Sequence, residues 1–98
     1  MLIMSLSPGQ LRAGRALIGW SQDQLADASK VAKATIANFE AGKRQPYPRT
    51  LDDLRAALEA AGVEFIERNG GGPGVRLRET EQSAPTIAVE DLSAENDE

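Results

Sequence analysis

The sequence predicts a mainly α fold: four short helices over residues 7–62, a β-hairpin over residues 63–78 and a disordered acidic stretch over residues 79–98. Three observations carry this reading. Apolar residues recur at helical spacing through residues 7–62, punctuated by Ser, Pro and Gly where helices start and stop. Two alternating apolar runs then flank a glycine-rich turn, Asn69-Gly70-Gly71-Gly72-Pro73-Gly74. Finally, charge splits the chain. Residues 1–78 hold all 11 Lys and Arg beside 8 acids, a balance of +3, whereas residues 79–98 hold 7 acids and no base. The net charge of −4 therefore hides a mildly basic body.

A chain of 98 residues has room for one small domain and a tail, and an apolar content of 41% suffices for a core. It contains no cysteine and no histidine. That removes the thiol nucleophile, disulfides, thiolate metal sites, the commonest metal ligand and the usual general base, so neither an enzyme nor a metal or other cofactor is expected. No apolar run approaches the ~20 residues of a membrane span. Met1-Leu2-Ile3-Met4 is too short and lacks the basic flank of a signal peptide, and Met4 is a second candidate start. The expected location is the cytoplasm.

Ser7 and Pro8 open the first helix as N-cap and first helical residue, where the missing N–H of proline costs least. Leu11, Leu17 or Ile18, and Trp20 are its core candidates, and Arg15, four residues after Leu11, falls near the same face. Ser21 caps the second helix, which places Leu25, Ala26 and Ser29 on one side. After a tight turn, the third helix runs from about Lys33 to Ala41, with Ile36 and Phe39 inward, and stops at Gly42. Helices this short are unstable alone and need the flanking helices to cover them. The fourth begins at Pro48 and carries the stripe Leu51, Leu54 and Leu58, with Asp52 and Asp53 expected to complement the helix start. Gly62 ends it.

In the hairpin, Val63 and Phe65 share one face, as do Val75 and Leu77, and Glu64 and Glu67 are placed to meet Arg76 and Arg78 across the strands. The glycine run lacks the Lys-Ser/Thr ending of a phosphate loop and no helix follows it. A lone two-stranded sheet is barely stable, so it must pack on the helices or pair with a second copy. Phe65, Ile66, Val75 and Leu77 are the candidate dimerisation residues.

Two short helices across a tight turn have a widespread use, in which the second lies in the DNA major groove while the first crosses the backbone. Residues 11–62 resemble the Cro/C1-type (Xre-like) helix-turn-helix domain of phage repressors and bacterial regulators, a compact lambda-repressor-like fold. The likeness rests on Leu11-Arg12, Arg15, Gly19-Trp20-Ser21-Gln22, Leu25-Ala26, Thr35-Ile36, Phe39-Glu40-Ala41-Gly42, Pro46 and Leu51. It implies a structural ion pair between Arg15 and Glu40, and phosphate contacts at Ser21 and Gln22, where a helix start suits an anion. It also implies a reading face of Lys33, Ala34, Ala37 and Asn38. Lysine can donate to guanine, asparagine can pair with adenine, and alanine can pack on a thymine methyl. Thr35, Lys43 and Arg44 are placed for the DNA backbone. The turn departs from the family, with Lys30 where glycine is usual and Ala32 where a Ser or Thr cap is usual. Either the turn geometry differs or the domain tolerates the loss.

The expected function is a sequence-specific, DNA-binding transcriptional regulator, a repressor acting as a homodimer on a palindromic operator in the nucleoid. An antitoxin whose acidic stretch wraps a basic toxin, and an adaptor that uses the same domain for protein contacts alone, are the alternatives. Residues 79–98 then serve as a solubilising tail, a partner-binding segment or an acidic arm competing for the basic face.

Overall fold

The computed structural model describes residues 6–79, and the sequence readings for residues 80–98 lie outside them. Four helices, α1 (Pro8–Ile18), α2 (Gln22–Ser29), α3 (Lys33–Glu40) and α4 (Pro48–Ala60), precede strands β1 (Val63–Ile66) and β2 (Gly74–Leu77). The strands pair antiparallel, with Val63 opposite Leu77, Glu64 opposite Arg76 and Phe65 opposite Val75.

Both α1 and α2 start on complete capping boxes. The hydroxyls of Ser7 and Ser21 accept from the N–H groups of Gln10 and Gln24, whose side-chain carbonyls accept in return from the cap N–H groups. The turn between α2 and α3 keeps the geometry that the family's glycine would adopt. Lys30 sits in the left-handed region at φ 65°, and Ala32 makes no side-chain cap. Ser29 offsets part of this cost. Its buried hydroxyl donates to the Leu25 carbonyl (2.7 Å) and accepts from Val31 N–H (3.2 Å), tying the turn to α2. Replacing Lys30 with glycine is expected to stabilise the domain by about 0.5–1 kcal/mol, read from its urea midpoint, because the Cβ clash of the left-handed conformation disappears.

One core joins the four helices and β1: Leu6, Leu11, Leu25, Val31, Ile36, Phe39, Leu54, Leu58, Val63 and Phe65, with Val75 of β2 packed against it. α1 approaches α4 and β1 closely at Gly14, where an added Cβ would stand 3.0 Å from Leu58 Cδ1 and 3.5 Å from Val63 Cγ1. Of the paired alternatives in α1, Ile18 packs on the core and Leu17 faces out.

The hairpin packs on α1 and α4 rather than standing off them. Phe65 is buried there, with the Arg55 guanidinium 4.9 Å from its ring centroid. One of the two expected cross-strand pairs is replaced. Glu64 does meet Arg76 (3.0 Å), whose hydrogen bond and positive charge hold the carboxyl below its ordinary range. Glu67 instead turns to Arg55 (3.7 Å), and Arg78 donates to the Glu59 carbonyl at the end of α4 (2.9 Å), because this register leaves Glu67 at the turn end of the hairpin and Arg78 at its open end, beside Gly62. Asp52 and Asp53 also fall differently from expectation. With Pro48 as first helical residue, they lie beyond the first turn, too far along to serve the helix start.

Gln10 clips the hairpin to α1. It is buried, accepts from Ser7 N–H (3.0 Å) and donates to the carbonyls of Gly74 (3.1 Å) and Ile66 (3.4 Å). Gln10→Ala is expected to cost about 1–2 kcal/mol, since two part-buried carbonyls lose a donor. Faster amide hydrogen exchange across residues 63–77 would accompany the loss.

Candidate nucleic-acid interface

The frame under α3 is a four-sided polar junction. Arg15 makes a two-pronged bridge to Glu40, Nε to Oε2 and Nη2 to Oε1, both at 2.7 Å. Its remaining Nη1 donates to the Trp20 carbonyl at 2.8 Å. Gln22 Nε2 donates to Glu40 Oε1 (3.0 Å), and Arg12 donates to the Glu40 backbone carbonyl. Burial pushes the Glu40 carboxyl up. Hydrogen bonds from Arg15 and Gln22, with the positive charge of Arg15 and Arg12, outweigh it and leave the group below its ordinary 4.5. This junction joins the end of α1, the start of α2 and the end of α3, and so fixes the angle at which α3 is held.

With Ile36, Phe39 and Glu40 turned inward, the other side of α3 is left to solvent. Lys33 and Ala34 are exposed, and Thr35, Ala37 and Asn38 are half-buried. Ala34, Thr35 and Asn38 form one wall of an open cavity of about 470 Å³, whose other walls are Arg44, Gln45, Pro46, Tyr47 and Thr50. The cavity exists because the chain leaves α3 by a fixed route. Gly42 takes φ 76°, which favours glycine, and its N–H bonds to the Phe39 carbonyl, while Lys43 N–H bonds to the Asn38 carbonyl (2.8 Å). Pro46 and Pro48 then limit the loop on either side of Tyr47, which is 82% exposed.

One cation, Arg44, lines this concavity, and Lys43 and Arg49 are the chain neighbours of its lining residues Arg44 and Thr50. Lys43, Arg44 and Arg49 are exposed and make no ion pair among the described residues. Lys33 is partly occupied, with Asp23 at 3.3 Å, but both groups are well exposed, so water and salt weaken that pair. Ser21 stands exposed at the start of α2 with its hydroxyl engaged in the cap, and Gln22, half-buried beside it, spends one donor on Glu40. Of the candidate residues, Ala34, Thr35, Asn38 and Arg44 are thus brought onto one cavity. Arg12, Gln45, Tyr47 and Thr50 escaped the sequence reading. The exposed aromatic between two prolines was the available signal for Tyr47. The place of Thr50 follows only from where α4 starts, across the cavity from α3.

A short helix held rigidly from behind, small and amide-bearing in front, beside a cationic loop, defines a helix-turn-helix DNA-binding protein. Comparison with protein families agrees. Residues 11–65, more than half of the chain, match the helix-turn-helix family of Cro/C1 type, and the protein belongs to that family. Comparison with curated proteins found no match. The family makes the chain a DNA-binding regulator in general terms. Among the described residues no helix is long and apolar enough to cross a membrane, and no group of His, Cys, Asp or Glu is arranged to hold a metal ion.

Proposed function

We propose that the protein is a sequence-specific transcriptional repressor that binds a palindromic operator as a homodimer in the bacterial or phage-infected cytoplasm. The observation that supports specificity is the shared cavity of Ala34, Thr35, Asn38 and Arg44, which sets base-reading groups beside a phosphate-binding cation. Lys33 and Asn38 are its hydrogen-bonding readers, Ala34 and Ala37 its apolar ones. Ser21, Gln22, Thr35, Lys43 and Arg44 hold the backbone. Repression needs nothing from the protein beyond occupancy of the site. Selection of binding sites from random duplex DNA tests the reading: enrichment of a two-fold-related sequence, with half-sites about 34 Å apart along the helix axis, is the expected result. Recovery of no preferred sequence would overturn it.

The dimer draws on what the hairpin leaves outside. Phe65 is committed to its own core, but Leu77 is 52% exposed, and Ile66 and Val75 are half-buried. Apolar groups on a short unpartnered sheet favour a second copy. Leu77→Asp is expected to shift sedimentation toward monomer while leaving the helical circular dichroism intact. An unchanged dimer would remove Leu77 from the interface.

A further inference from the structure

We propose that residues 80–98 dock on the cationic concave face around α3 and compete there with DNA, so that the chain restrains its own affinity. This rests on the DNA-binding reading above. The face offers Lys43, Arg44 and Arg49 without ion-pair partners among the described residues. Residues 90–98 offer five acids, Glu90, Asp91, Glu95, Asp97 and Glu98, and no base. Opposite charges at this density attract over the Debye length, about 8 Å at physiological salt.

Reach is set by α4. Arg78 fastens the start of the segment to the far end of that helix, through its backbone N–H to the Gly62 carbonyl (2.7 Å) and its side chain to the Glu59 carbonyl (2.9 Å). Thr50 and Tyr47, at the near end of α4, border the cavity. The span to be crossed is therefore the length of a helix of 13 residues, ~20 Å. A random coil of the length from Glu79 to Glu90 would have a root-mean-square reach of about 19 Å. The cluster of acids thus begins where the cavity does.

The pattern of the intervening stretch agrees. Gln82-Ser83-Ala84-Pro85-Thr86-Ile87-Ala88-Val89 carries no charge, and it is this part that must pass α4, where Asp52 and Asp53 are exposed and would repel acids. Ile87, Val89 and Leu92 bracket the first acids, and the cavity supplies apolar surface at Ala34, Pro46 and the exposed Tyr47 ring to receive them.

The test compares the full chain with the full-length variant E90Q/D91N/E95Q/D97N/E98Q. Amide chemical shifts of residues 34–38 and 43–47 are recorded without DNA, and affinity for duplex DNA is measured from low salt to about 0.2 M. Expected are shift differences at those amides and about tenfold tighter DNA binding by the variant at low salt, since a tethered competitor acts at millimolar-order effective concentration. The gap narrows as salt rises. Tighter binding without amide differences would reflect overall charge alone and overturn the docking. So would differences that vanish on dilution, which would place the segment on a neighbouring copy. Equal affinities with unchanged amides overturn the proposal and leave the DNA-binding reading standing. Failure of both proteins to bind duplex DNA overturns that reading instead, and the competition with it.

Discussion

Replacing Arg15 with alanine is expected to cost about 3 kcal/mol of folding stability, the low end of the range for stripping one partner from a buried ion pair. Glu40 is 5% exposed, and three of the hydrogen bonds at this junction come from Arg15. The response to pH gives the effect a signature. In the parent protein the Glu40 carboxyl is held below its ordinary value, so its contribution is present above about pH 4.5 and is lost as pH falls through the folded-state pKa. Without Arg15, burial becomes the dominant influence and raises the carboxyl. A group whose folded pKa lies above its unfolded one destabilises at neutral pH, and that penalty shrinks as pH falls and the carboxyl protonates. Urea denaturation of Arg15→Ala between pH 7 and 5 should therefore show stability rising with acidity, where the parent is flat. Glu40→Gln, which keeps the shape and sheds the charge, should cost less than Arg15→Ala. Equal stability of Arg15→Ala and parent would remove the pair from its structural role.

The second large effect separates reading from holding. Lys43→Ala/Arg44→Ala is expected to weaken binding to every duplex alike and to reduce the salt slope of log K by about 2, because two phosphate contacts and their released counterions are gone. Asn38→Ala should leave the slope unchanged. It should relax preference at one base position by about 1–3 kcal/mol, roughly 5–150-fold. A fluorescence titration series at several salt concentrations, on selected and scrambled duplexes, distinguishes the two. If Asn38→Ala lowered affinity for all sequences equally, its amide would be a backbone contact and the reading face would need to be redrawn.

Much of the fold was legible because it is local. Ser7-Pro8 and Ser21 announce helix starts through chemistry confined to one turn, and the spacing of Ile36 and Phe39 decides which side of α3 faces in. What escaped is non-local. The clip from Gln10 to Gly74 spans 64 positions, and nothing in the periodicity of α1 marks a glutamine as buried. Glu67 and Arg78 looked like cross-strand partners by alternation alone, but the register, set by the turn, puts them at opposite ends of the hairpin, and each found a partner on α4. Asp52 and Asp53 look like helix-start residues by charge, but the start at Pro48, itself legible in the sequence, leaves them beyond the first turn. At the site, spacing and family likeness supplied the α3 face. The cavity wall from Gln45 to Thr50 depends on how a loop closes back, which no residue pattern encodes.

The division of labour within α3 has a consequence for how such a protein can change over time. Of its eight residues, Ile36, Phe39 and Glu40 are sealed into the body, Thr35, Ala37 and Asn38 are half-buried, and Lys33 and Ala34 are exposed. On the proposed reading, substitutions at Lys33 and Ala34 alter what is recognised at little thermodynamic cost to the scaffold. Lineages carrying this architecture are free to explore new target sites by single steps, each intermediate still folded, and the vocabulary of the helix can drift while its mounting stays fixed.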